Sequence, residues 1–89
     1  MQVSCFLRPK GATSRAKLGM LSLTRGEPVI WRGRDKNVVT LNPPLTLTGS
    51  GEKAIGPKFT AFDLACATGS FDVHIPTLDV ELVKHALDT

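Results

Sequence analysis

A strict alternation of apolar and polar residues between positions 59 and 76 constrains the fold more than any other feature of this chain. Its apolar members are Phe62, Leu64, Cys66, Phe71, Val73 and Ile75. A period of two is typical of strands that bury one face. Thr68 and Gly69 separate the two runs and are favourable turn residues. The pattern therefore predicts a β-hairpin with one buried face.

The turn also predicts a register for this hairpin. If residues 67 and 70 pair across Thr68-Gly69, the apolar residues of the two strands coincide on one face. The predicted cross-strand neighbours are Cys66 with Phe71, Leu64 with Val73 and Phe62 with Ile75. A slip of one residue would move every apolar side chain of one strand to the wrong face.

Five further short strands are predicted upstream of the hairpin. They cover residues 3–7, about 18–24, 29–32, 38–41 and 45–48. Pro9 is expected to end the first strand because it lacks a ladder donor. The fourth strand should stop at Asn42-Pro43-Pro44. The stretch 49–57 has no apolar period and is expected to be a loop.

After Pro76 the apolar spacing becomes helical. The spacing predicts an amphipathic helix at about residues 78–87, with Thr77 as its N-cap. Its apolar side would carry Val80, Leu82, Val83, Ala86 and Leu87. A helix of this length does not persist alone in water, so it must pack on the sheet. We therefore predict one mainly β (α+β) domain over residues 1–89, with about seven short antiparallel strands in a bent sheet or partly open barrel closed by one C-terminal helix.

Length and composition exclude several classes of protein. The chain has 89 residues, of which 42% are hydrophobic and 21% charged, which is ordinary for a folded domain. No run of about 18 apolar residues occurs, and the first residues lack the pattern of a signal peptide. We expect a cytoplasmic protein with reduced cysteines. Cys5 and Cys66 are predicted to be buried thiols; a disulfide or a reactive thiol is the alternative.

The charge is distributed unevenly along the chain. Residues 1–58 contain ten basic and three acidic residues, for a net charge of +7, whereas residues 59–89 contain one basic and five acidic residues, for a net charge of −4. This asymmetry favours a basic binding surface. Alternatively, the two halves attract each other or a second copy of the chain.

Two short basic clusters are candidates for binding an anion. The first is Lys10, Arg15 and Lys17, in the pattern K-x4-R-x-K, and the second is Arg32, Arg34 and Lys36. Cations beside small polar residues can hold a phosphate, although such runs are more often solvated. Trp31 adjoins the second cluster, and an aromatic side chain among cations suits nucleic acid. A core or protein-interface position for Trp31 is the alternative, because tryptophan buries a large area.

Catalytic and metal-binding patterns are weak. His74 and Asp72 share one face of the last strand, and the predicted register places Asp63 opposite His74. A His–Asp pair explains this pattern without a metal, which would need further ligands. No phosphate-binding loop, dinucleotide fingerprint or hydrolase motif occurs. We therefore expect no enzymatic activity, no cofactor and no metal.

Seven short strands, a basic loop after the first and a helix after the last hairpin resemble the pleckstrin-homology-like superfold. The resemblance covers most of the chain and depends on the order of elements. It implies a bent sheet plugged by the helix, and binding rather than catalysis. In lipid-binding members a basic cluster in the loop matching Lys10, Arg15 and Lys17 holds inositol phosphates. Eukaryotic members usually carry a tryptophan in the last helix, whereas Trp31 lies in a predicted strand.

The sequence thus predicts a non-enzymatic interaction domain. The first hypothesis is a protein partner, or self-association, through the sheet surface or a strand edge. The second is an anionic ligand, nucleic acid or an acidic lipid head group, bound by the basic N-terminal half.

Overall fold

Alternating sequence patterns form seven strands in the computed structural model, which describes residues 1–51 and 53–87. The strands are β1 (Gln2–Pro9), β2 (Lys17–Ser22), β3 (Val29–Gly33), β4 (Val38–Leu41), β5 (Thr46–Gly49), β6 (Phe59–Cys66) and β7 (Gly69–Pro76). A 3-10 turn (Thr77–Asp79) leads into helix α1 (Val80–Leu87). The predicted fold class is confirmed: the sheet is an antiparallel, curled half-barrel followed by one C-terminal helix.

The strands form one sheet in the order β4-β3-β2-β1-β7-β6-β5. Two antiparallel meanders, β1–β4 and β5–β7, meet where β1 pairs with β7. β1 is long enough to pair with a strand on each side: residues 2–7 pair with β2 and residues 6–9 pair with β7. Because the first and last strands are joined in the middle of the sheet, β4 and β5 form its two ends.

The inner face of the curled sheet contains the core. Buried side chains of six strands meet there, together with Leu23 after β2 and Val83 of the helix. These residues are Val3, Cys5, Leu7, Leu21, Leu23, Trp31, Leu41, Phe62, Leu64, Val73, Ile75 and Val83. Val83 is fully buried, and Val80, Ala86 and Leu87 pack around it. The predicted closure of the sheet by the helix is therefore confirmed.

The β6–β7 hairpin forms at the predicted place, but its predicted register is wrong. Cys66 pairs with Gly69, so the turn is Ala67-Thr68 and not Thr68-Gly69. Every partner moves by two residues: Phe71 lies opposite Leu64, and Val73 opposite Phe62. A shift of two keeps each side chain on its face, and the prediction of one shared apolar face is therefore right.

Three local predictions are also wrong. The first strand was predicted to cover residues 3–7, but β1 continues to Pro9, which pairs with Phe71 and ends the strand as expected. The position is compatible with proline because strand ends tolerate the missing N–H. Pro76, not Thr77, precedes the helical turn, and the hydroxyl of Thr77 hydrogen-bonds that of Thr60 at 2.9 Å. Leu82 points away from the core and is 55% exposed.

No helix within residues 1–51 and 53–87 has the length and apolarity needed to cross a membrane.

Candidate interaction surface

The two predicted basic clusters approach each other at one end of the β2–β3 pair. Lys17 is the first residue of β2, and Arg34 and Lys36 are in the turn between β3 and β4. Lys17 Nζ lies 3.4 Å from Asp35 Oδ2 of that turn. Arg15 is exposed in the loop before β2, and Arg32 is exposed on β3. The fold therefore places the loop of the first cluster beside the turn of the second.

Lys10 belongs to a different group of charges, on the outer face of the sheet. Its Nζ lies 2.6 Å from Asp63 Oδ1 and 3.9 Å from Asp72 Oδ1. Arg8 Nε donates to Asp72 Oδ2 at 3.0 Å. These contacts join the basic first half of the chain to the acidic second half. The alternative that the two halves attract each other therefore holds at this face.

The shifted hairpin register explains why Lys10 is needed there. Asp63 lies directly opposite Asp72, and like charges at such positions repel. Lys10 lies between the two carboxylates and offsets that repulsion. The predicted pairing of His74 with Asp63 is wrong, because Ala61 occupies the position opposite His74. His74 is buried, and its Nδ1 accepts a hydrogen bond from the Ile55 amide at 3.3 Å.

Trp31 is a core residue, so neither stacking on nucleic acid, which its basic neighbours suggested, nor a protein-interface position is correct for it. Its side chain is only 3% exposed, and its Nε1 donates to the Cys5 carbonyl at 3.2 Å. The indole lies over Gly19 and Gly33, which face each other on β2 and β3. A Cβ atom on Gly19 would lie 2.5 Å from the indole ring. Trp31 is therefore not accessible for stacking on a base or a partner.

β4 presents an open edge, which we name the β4 edge (residues 38–41). Among residues 1–51 and 53–87, β4 forms a ladder with β3 alone. The Gly33 amide donates to the Asn37 carbonyl at 2.8 Å, so Asn37 points toward β3. Because the direction alternates along a strand, the backbone groups of Val38 and Thr40 point outward. The β4 edge contains no charge and no proline, the residues that usually protect such edges.

A cavity of about 560 Å³ adjoins the end of this strand, and we name it the end cavity. Three separate stretches line it: residues 23–29 after β2, the segment after β4, and the end of α1. Val29, the cross-strand partner of Leu41, is part of the wall, as are Asn42 and Pro43. Leu23, Leu45, Ala86 and Leu87 add apolar surface, and Arg25 and Glu27 are exposed polar members of the lining.

No protein-family model, curated protein or solved structure matches this chain.

The other end of the sheet is partly covered. Lys84 and Leu87 of the helix line a cavity of about 270 Å³ together with Leu45, Thr46 and Leu47. The helix thus lies beside β5. Directly after the β4 edge, the Asn42 carbonyl accepts a hydrogen bond from the Ala67 amide of the β6–β7 turn at 3.0 Å. The helix itself has an exposed apolar side, since Leu78 is 95% exposed and Leu82 lies one turn further on.

The two thiols occupy different environments, and neither forms a disulfide. Burial raises the pKa of the Cys5 thiol to about 12. Cys66 lies half-buried at the end of β6, with Sγ 3.3 Å from Thr68 Oγ1. Burial raises the pKa of Cys66, but hydrogen bonds with Thr68 and nearby backbone groups outweigh this effect and lower it. The prediction of two buried thiols thus holds for Cys5 and is wrong for Cys66, which is only partly buried.

Within the described part of the chain, no three His, Cys, Asp or Glu side chains lie close enough together to hold a metal ion.

The sequence predicted the strand of the β4 edge but not that this strand lies at an end of the sheet. The available signal was the uncharged run Val38-Val39-Thr40-Leu41. No sequence signal marks the end cavity, because its walls come from three segments that only the fold brings together.

Proposed function

We propose that this chain is a non-enzymatic interaction domain that binds a protein partner through the β4 edge. One observation carries the proposal: β4 is a terminal strand whose outward backbone groups, at Val38 and Thr40, are not part of its ladder with β3. Such a strand accepts a further strand by main-chain hydrogen bonding. We also propose that the fold is pleckstrin-homology-like, which the order of seven strands and a C-terminal helix supports.

The side chains around this strand also favour a partner. Val38 is 57% exposed on the outer face, and Met20 is an exposed apolar residue two strands away on the same face. A lysine or a proline is one of several devices by which natural edge strands avoid pairing. The absence of both from Val38–Leu41 is expected of a strand that pairs with a partner.

The test uses the full chain, immobilised and exposed to an extract of its source cells. We expect a partner to be retained by the wild-type protein and by Met20→Lys, and to be lost with Val38→Lys. Both substitutions add one lysine at an exposed apolar position, but only Val38 lies on the edge. Hydrogen exchange of the complex should show new protection of the outward amides of Val38 and Thr40. Retention by all three proteins would overturn the proposal, and loss with Met20→Lys alone would assign the partner to the outer face.

An anionic ligand is a second candidate, favoured by the contact between Lys17 and Asp35. This contact places the loop that carries Arg15 beside the turn that carries Arg34 and Lys36. A nucleic acid or an acidic lipid head group would meet cations from both segments. Retention on heparin should then fall steeply between about 50 mM and about 200 mM salt. Binding at the β4 edge should change little over this range, because its main contacts are uncharged.

A further inference from the structure

We infer that the chain self-associates head to tail, with the exposed side of α1 in one copy packing on the outer face of β2, β3 and β4 in the next copy. This inference goes beyond the proposed function, because it uses side chains on two faces of the fold and not the main chain of the β4 edge. Two observations support it: each face has an exposed apolar patch, and the charges beside the two patches are opposite in sign.

The first patch is a row of exposed side chains across three strands, which we name the sheet patch (Met20, Arg32 and Val38). Met20 pairs with Arg32, and Arg32 pairs with Val38, so the three residues form one line across the outer face. Met20 is 41% exposed and Val38 is 57% exposed. Since neighbouring strands are about 4.8 Å apart, the two apolar residues lie about 10 Å apart with Arg32 between them.

The second patch lies on the exposed side of the helix, and we name it the helix patch (Leu78, Glu81 and Leu82). Leu78 is 95% exposed, Leu82 is 55% exposed, and Glu81 is also exposed. Residues three and four apart lie on the same side of a helix, so the three side chains are neighbours. Val83 is fully buried in the core on the opposite side. The helix patch therefore faces away from the sheet of its own copy.

The surroundings of the sheet patch are basic. Arg34 and Lys36 are exposed in the turn that follows Arg32. Asp35, the acid of that turn, already lies 3.4 Å from Lys17. Within residues 1–51 and 53–87, Arg32 itself forms no ion pair. Its guanidinium is thus available to a carboxylate from another molecule.

The surroundings of the helix patch are acidic. Glu81 follows Asp79 by two residues, and neither forms an ion pair within the described part of the chain. The one lysine of the helix, Lys84, is directed elsewhere, because its Nζ lies 5.6 Å from the centre of the Phe62 ring. His85 is also exposed on the helix. The helix patch therefore presents a carboxylate beside two leucines.

The two patches are complementary. Each has one charged side chain and two apolar side chains, and the charges are opposite. If Glu81 of one copy meets Arg32 of the next, the two leucines of the helix patch can cover the apolar ends of the row. Opposite charges at such a contact fix its register and exclude other arrangements.

A second copy of the chain is the occupant that this complementarity favours, because one chain carries both halves of the contact. The two halves cannot meet within one copy, since the sheet patch lies on the outer face and the helix packs on the inner face. The contact is therefore heterologous, and it produces rings or open chains of copies. The exposed apolar area is small, so we expect association to become measurable at about 0.1 mM.

Sedimentation equilibrium of the full chain from about 10 μM to about 1 mM measures this association. The buffer is held at about pH 8, above the usual titration range of histidine. Arg32→Glu and Glu81→Arg should each weaken association at least about tenfold, because like charges would meet. The chain that carries both substitutions should associate again. Arg25→Glu, in the exposed turn between β2 and β3, changes the charge equally outside both patches and should associate like the wild type.

A mixing experiment tests whether the contact joins two different patches. Met20→Lys blocks the sheet patch and Leu78→Lys blocks the helix patch, so each variant alone should stay monomeric. Their equimolar mixture should form a one-to-one dimer that grows no further, because one intact patch of each kind remains. A wild-type monomer up to about 1 mM would overturn the inference. So would association that survives both single charge reversals, or a mixture that either fails to form the dimer or forms larger assemblies.

Discussion

At the scale of single residues, the packing of Trp31 requires a glycine at position 19. A Cβ atom at Gly19 would lie 2.5 Å from the Trp31 ring and 2.6 Å from the Arg32 carbonyl, so either the indole or the β2–β3 ladder must move. We expect Gly19→Ala to lower the free energy of unfolding by about 1–3 kcal/mol, the usual effect of overpacking a core. Urea denaturation followed by Trp31 fluorescence measures this change.

Gly49 is the matched control, because it also lies in a strand and a Cβ atom there would meet nothing within 4 Å. Gly49→Ala should change the free energy of unfolding by less than about 0.5 kcal/mol. Equal stability of the two variants would contradict the close packing of Trp31 on Gly19.

The two thiols should differ in reactivity for the same residue-scale reasons. Cys5 is inaccessible, and its pKa of about 12 leaves almost no thiolate near pH 8. The lowered pKa of Cys66 means that more of it is thiolate at the same pH. We expect iodoacetamide to modify Cys66 first in the native protein, as measured by peptide mass spectrometry. Thr68→Val should slow the reaction; faster modification of Cys5 would contradict the structure.

At the scale of elements, Asp72 joins β1 to the β6–β7 hairpin. Its carboxylate is buried. Asp72 Oδ2 forms a salt bridge with Arg8 Nε at 3.0 Å, and Asp72 Oδ1 lies 3.9 Å from Lys10 Nζ. Asp72→Ala would leave the partly buried Arg8 without this carboxylate. We expect the free energy of unfolding to fall by about 1–3 kcal/mol, because a buried charge that loses its partner is costly and Arg8 retains some contact with water. Thermal denaturation measures the effect.

The exposed pair of Lys17 and Asp35 is the control for this prediction. Both side chains are more than half exposed, at 58% and 67%. Asp35→Ala should therefore change stability by less than about 1 kcal/mol. A larger effect for Asp35 than for Asp72 would mean that the outer-face charges do not hold the two meanders together.

The β6–β7 hairpin also shows how far the elements could be predicted from the sequence. Alternation determines which face a residue occupies, so Phe62, Leu64 and Val73 were correctly expected inside. It cannot distinguish two registers that differ by two residues, because both keep the same faces together. The turn distinguishes the two registers, since Gly69, the first residue of β7, adopts a positive φ of +145° there.

The candidate site was less predictable than the elements, since it depends on contacts between distant segments. The basic residues were identified from the sequence, but the approach of Lys10 to Asp63 was not, because the predicted register placed Asp63 opposite His74. The sequence did not distinguish a core position from an interface position for Trp31. The indole is buried because it packs on two facing glycines, Gly19 and Gly33. The end cavity needs the complete fold, including the position of the helix end.

At the scale of the whole molecule, the half-barrel and its helix should unfold together. An eight-residue helix is too short to be stable alone, and Val83 is fully buried against the sheet. Val83→Ala removes two methyl groups from this contact, and we expect it to lower the free energy of unfolding by about 1–3 kcal/mol. Trp31 fluorescence, which reports on the sheet, and circular dichroism at 222 nm should shift to the same lower midpoint. Leu82→Ala, on the exposed side of the helix, should leave both midpoints nearly unchanged. If the helical signal were lost first in Val83→Ala while Trp31 kept its wild-type midpoint, the helix would be an appendage of the sheet and not part of its core.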